Sequence, residues 1–165
     1  MNNLKKCCFI GHRDIVLNDL LIKNIKYVIE KLIILKDVKV FLFGSNSRFD
    51  DICYDIVSEL QKKYEIKRVY VRSQYQFISD QYKNYILSFY EDTYFSNKSI
   101  KAGKIAHIKR NEQMIDESDF CVFYYNKNYN IKDKENHILN SGTYIAFKYA
   151  IKRKKTIINV FEIEK

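Results

Sequence analysis

Proline is absent from the 165 residues, and glycine occurs only four times. Such a chain holds no Pro/Gly/Ser-rich linker, so residues 1–165 read as one domain. Both glycine-rich phosphate patterns, GxxxxGK[ST] and GxGxxG, are missing. Tryptophan is missing too. The four cysteines, Cys7, Cys8, Cys53 and Cys121, make no CxxC pair and no Cys/His spacing of a zinc site. Cys7, Cys8 and Cys121 lie inside apolar strand-like runs and read as buried free thiols in a reducing compartment. No apolar stretch reaches the roughly 20 residues of a membrane span, and the first residues lack the apolar run of a signal peptide. The expected location is cytoplasmic, with no membrane partner. No internal repeat is found.

What is present is a globular composition, 47% hydrophobic and 30% charged. Aromatics make up 15%, as 14 tyrosines and 11 phenylalanines. The net charge of +9 permits phosphate-rich partners, nucleic acid included. The basic residues are nevertheless spread over helix faces. Their one cluster, Lys152-Arg153-Lys154-Lys155, ends an expected helix, where cations complement the dipole.

Strand and helix patterns alternate. Strands are expected over 6–10, 38–43, 66–71, 120–125 and 156–161. Helices are expected over 18–35, 50–64, 75–90, 102–117 and 141–153, with 91–101 and 126–140 irregular. The alternation predicts an α/β fold: a Rossmann-like, doubly wound, mostly parallel sheet of about five strands with helices on both faces. In such sheets ligands bind at the carboxyl ends of the strands. The aromatic segment 75–90 carries more apolar surface than a solvated helix needs, which suggests a homo-oligomer.

Three of the four glycines stand at such junctions. Gly11 ends the first strand and leads into His12 and Arg13. Arg13 can fork onto a phosphate or pair with a carboxylate, and His12 can donate to a phosphate, stack on a base or cap a turn. Gly44 ends the second strand and opens Gly44-Ser45-Asn46-Ser47. Gly44, Ser45 and Ser47 offer donors for an anion at a helix start. Asp50 and Asp51 read as helix caps. Arg110 and Asn111 lie on the helix before the fourth strand and can reach over the sheet end; a surface pair of Arg110 with Asp116 or Glu117 is the alternative. Ser141, Gly142 and Thr143 open the last helix as an anion cradle, or Ser141 serves only as its N-cap.

The order Gly11-His12-Arg13, Phe43-Gly44-Ser45-Asn46-Ser47-Arg48-Phe49-Asp50-Asp51, Arg110-Asn111 through Ser118-Asp119, and Ser141-Gly142-Thr143 resembles the SLOG superfamily. It is closest to the YpsA-like branch of unassigned function, which is related to the LOG lysine-decarboxylase-like enzymes and to the DprA proteins. The resemblance covers about residues 5 to 161 and implies a Rossmann-like domain that binds nucleotides or nucleotide derivatives. The ligand-binding residues it implies are Gly11, His12, Arg13, Gly44, Ser45, Asp50, Arg110, Asn111, Ser141, Gly142 and Thr143. The LOG enzymes carry a catalytic glutamate where this chain has Ala146, and a methyl group cannot polarise water. A nucleotide-binding sensor is therefore the leading expectation, with no catalytic residue, metal site or cofactor assigned. A nucleotide N-glycosidase and a DprA-like nucleic-acid-binding protein are the alternatives.

Overall fold

The structure, a computed structural model, describes residues 3–44, 47–129, 131–132, 135, 138–139 and 141–163. Its centre is a six-stranded sheet built from β1 (Lys5–Gly11), β2 (Val38–Phe43), β3 (Lys67–Arg72), β4 (Asp92–Phe95), β5 (Phe120–Tyr124) and β8 (Thr156–Asn159). The order is β4-β3-β2-β1-β5-β8, and every pairing is parallel. Two further short strands, β6 (Ile131–Lys132) and β7 (Ile138–Leu139), pair antiparallel within the stretch expected to be irregular.

Both faces of the sheet are covered, which is why the strands read as continuous apolar runs. Alternate residues of β1 point opposite ways. Cys7 and Phe9 join a core with α1 (Asp19–Lys36) and α2 (Arg48–Leu60). Cys8 and Ile10 join a second core with α4 (Ala106–Glu117) and α5 (Gly142–Lys152). Phe9, Phe41, Phe43 and Phe49 are wholly buried on the first side, each worth about 1.5–3 kcal/mol of transfer free energy. All four cysteines are free and buried, and burial pushes the Cys7 and Cys53 thiols well up, keeping them protonated.

Side-chain caps set the helix starts. The side chains of Asn18, Ser47 and Ser141 accept from the N–H groups of Leu21, Asp50 and Tyr144 at 2.8, 3.0 and 2.9 Å. Two sequence expectations are corrected here. Ser47, not Asp50, caps α2, which begins at Arg48. The helix expected over 75–90 shrinks to α3 (Asp80–Leu87), capped by Ser79, and the irregular stretch after it contains β4. The sheet therefore has one strand more than the five expected.

The chain winds outward from β1 through β2 and β3 to β4, then returns past β1 to β5. The neighbours β1 and β5 thus send their following helices to opposite faces. Their carboxyl ends splay into a crevice, the usual ligand position in an open parallel sheet. No described helix is long and apolar enough to cross a membrane.

Candidate functional site

A cleft of about 720 Å³ opens at this edge. The tip of β1 contributes Gly11, His12, Arg13 and Asp14, and the segment after β2 contributes Gly44 and Ser47. Arg110 and Asn111 come from α4, Tyr129 from beyond β5, and Ser141, Gly142 and Thr143 from the start of α5. Nine of the expected ligand residues therefore share one cavity. Asp50 does not line it; it is buried in the first turn of α2. Ser45 lies outside the described residues.

Two of the glycines are there for packing. A Cβ on Gly11 would come within 2.4 Å of the buried Phe49 ring, so this glycine lets α2 close onto β1. A Cβ on Gly44 would meet Arg110 Cδ at 2.6 Å and Val71 O at 3.0 Å, so glycine leaves the space that the arginine occupies. Gly142 differs, because a Cβ there would meet nothing within 4 Å.

Arg110 is the centre of the site. It is 5% exposed, yet among the described residues it has no carboxylate within ion-pair distance. Its Nε donates to Asn111 Oδ1 and its Nη1 to Ser73 Oγ, both at 3.2 Å. The expected surface pair with Asp116 or Glu117 is not formed; Asp116 pairs with Lys98 and Arg153 instead. Burial pulls the Arg110 pKa down, and a guanidinium remains charged regardless. An unpaired buried cation is costly and is relieved by an anion.

Ser73 Oγ also lies 2.7 Å from His107 Nδ1. His107 and Arg110, one turn apart at the start of α4, converge on this one hydroxyl. Partial burial first, and the Arg110 charge second, hold the His107 pKa below its ordinary value. His12 is 2% exposed and is held neutral by burial. Its Nε2 accepts the Asn126 N–H at 2.9 Å, which leaves the proton on Nδ1, and that atom has no partner among the described residues. The Tyr129 ring stacks on His12 at 3.9 Å.

Sequence reasoning missed Arg72, Ser73 and His107, all of which line the cleft. Arg72 and Ser73 sit at the carboxyl end of β3, where the same strand-tip rule would have found them. Among the described residues, the charge balance of the lining is three arginines, Arg13, Arg72 and Arg110, against one carboxylate, Asp14. Serine and threonine hydroxyls and tyrosine rings complete it. Such a surface holds phosphate through charge and hydrogen bonds and offers aromatic faces to a planar group. Among the described residues, no three His, Cys, Asp or Glu side chains gather as a metal site. Comparison with family models and with curated proteins finds no match.

Proposed function

We propose that this chain binds a nucleotide or nucleotide-derived small molecule in the cleft at the carboxyl edge of the sheet, as a sensor or regulatory module. The observation that carries the reading is Arg110, a buried guanidinium without a carboxylate partner among the described residues, in a cleft with three arginines and one aspartate. The cleft's place at the β1/β5 switch point supports it. So does the resemblance to the SLOG superfamily at Gly11-His12-Arg13, Gly44, Arg110-Asn111 and Gly142-Thr143. Phosphates would lie against Gly44, Arg110 and the start of α5, with Arg13 at the open side.

Position 146, where the LOG enzymes carry their glutamate, is an alanine 2% exposed in the core beneath α5. It supplies no acid to the cleft, so the reading favours holding a nucleotide over cutting one. Calorimetric titration with a panel of nucleoside mono-, di- and triphosphates tests this. At least one member is expected to bind, and Arg13→Ala, removing an exposed charge, should weaken it about tenfold. Failure of every member to bind, or an unchanged affinity in Arg13→Ala, would count against the proposal. Release of free base from a member would favour the glycosidase reading.

A further inference from the structure

A second cleft, of about 540 Å³, opens directly beside the first. The two share a wall of Ser73, Gln74, Tyr75 and His107. Beyond that wall the second cleft is lined by Phe95, Lys101 and Lys104 among others, with no aspartate or glutamate among the described residues. Neither lysine enters an ion pair among the described residues.

Arg72 stands at the junction. It lines the first cleft, and its guanidinium lies 5.9 Å from the centre of the Phe95 ring, which lines the second. Its Nη1 donates to Tyr75 O at 3.0 Å, while its buried Nε has no partner among the described residues. The backbone is unusual here as well. Tyr75, Lys101 and Gly103 hold φ of 57°, 58° and 59° around the second cleft. The other left-handed residues, Asp37 and Lys154, follow the ends of α1 and α5, where that conformation is ordinary.

We propose that the two clefts are halves of one site and that its ligand is a dinucleotide, two nucleosides joined through phosphates. This rests on the nucleotide reading above. Each cleft alone falls within the roughly 300–1,000 Å³ of a small-molecule site, so each has room for one nucleoside. The bridging phosphates run from Arg110 toward Arg72, the cation of the first cleft that lies against the Phe95 ring of the second. The Ser73 hydroxyl and the Gln74 amide on the shared wall hydrogen-bond the sugar or phosphate that crosses it. The second nucleoside sets its base against Phe95, and the two lysines add positive charge that attracts the bridging phosphates. A plain polyphosphate tail would use the lysines but would have no need of the aromatic ring or of so large a space.

The test is calorimetric titration of AMP, ATP and diadenosine diphosphate against three proteins: wild type, Phe95→Leu, and the double variant Lys101→Gln/Lys104→Gln. Both lysines are exposed, so the double variant should fold, and its AMP affinity checks that the first cleft is intact. Diadenosine diphosphate should bind wild type at least about tenfold tighter than AMP, because its second half binds as a tethered group. Phe95→Leu and the double variant should each remove most of that gain and leave AMP unchanged. Equal affinities for AMP and diadenosine diphosphate would overturn the proposal, as would ATP matching the dinucleotide with no effect of Phe95→Leu. If AMP binds and the dinucleotide gains nothing, only this inference falls. If none of the three binds, the nucleotide reading falls with it.

Discussion

The two ends of the sheet handle charge in opposite ways. At the amino end, polar groups close on one another. Asp116 accepts the Tyr149 hydroxyl at 2.7 Å and forms ion pairs with Lys98 and Arg153. The carbonyls of Asp116 and Ser118 take Lys155 Nζ at 3.1 and 3.0 Å. Asp119 and Lys6 exchange two hydrogen bonds, at 2.9 and 2.8 Å, between the starts of β5 and β1. At the carboxyl end, the hydrogen bonds of Arg110 among the described residues go to neutral groups, with the Asp50 carboxylate acting on it through space, and Arg72 Nε and His12 Nδ1 have no hydrogen-bond partner among the described residues. One end is tied by ion pairs and hydrogen bonds between helices and strands, although Asp116 Oδ1 has only its ion pair with Arg153 among the described residues. The other keeps cations and donors in reserve, as a surface does when part of its hydrogen bonding comes from a ligand.

Substituting Arg110 tests this contrast most severely. Arg110→Met should cost about 2–5 kcal/mol of nucleotide binding, since it removes the buried charge the phosphate meets. The fold should lose less than about 1 kcal/mol, or gain, because a buried cation without a carboxylate partner is replaced by an apolar chain. Titration and urea unfolding of the same variant read both numbers. If Arg110→Met unfolds as readily as a core deletion, Arg110 is structural and the contrast breaks. The converse substitution, Asp116→Ala, should cost about 1–3 kcal/mol of stability and leave nucleotide affinity unchanged, because its partners tie α4 to α5 far from the cleft.

A smaller effect comes from His12. Burial lowers its pKa below the ordinary 6.5, so the folded chain prefers the neutral ring. The unfolded chain takes up the proton first as pH falls. The His12 contribution is therefore complete above about pH 6.5 and is lost as pH falls from the unfolded value through the folded one. Thermal unfolding between pH 8 and pH 5, values chosen to span roughly the ordinary histidine range, should show a decline that is shallower in His12→Gln. Identical slopes in the two proteins would remove His12 from the set of strained groups at this end.

The alternation of β and α was legible because buried parallel strands announce themselves as apolar runs, as in Phe41-Leu42-Phe43 and Cys121-Val122-Phe123. β4 was not, because Asp92-Thr93-Tyr94-Phe95 is a short edge strand with only Thr93 buried. The helix expected over 75–90 spans only Asp80–Leu87, where the Ser79 cap sets its start. Tyr90 instead reaches past α3 to stack at 5.3 Å on Tyr70 and to pack at 5.1 Å against Tyr54. Meanwhile Tyr75, Phe77, Tyr85 and Phe89 remain exposed. Most of the cleft could be read from strand tips and helix starts. Arg72 and Ser73 follow directly on the expected strand 66–71, as Gly11 and Gly44 follow theirs, but no glycine marks that tip. At Gly11 and Gly44, which line the cleft, the structure adds a packing role: they make room for Phe49 and Arg110.

The contact of Gly44 with Arg110 makes the two positions interdependent. A Cβ at position 44 would stand 2.6 Å from Arg110 Cδ and 3.0 Å from Val71 O, so a side chain there displaces the arginine from where it lies. A change on the loop after β2 thereby moves a charge carried by α4.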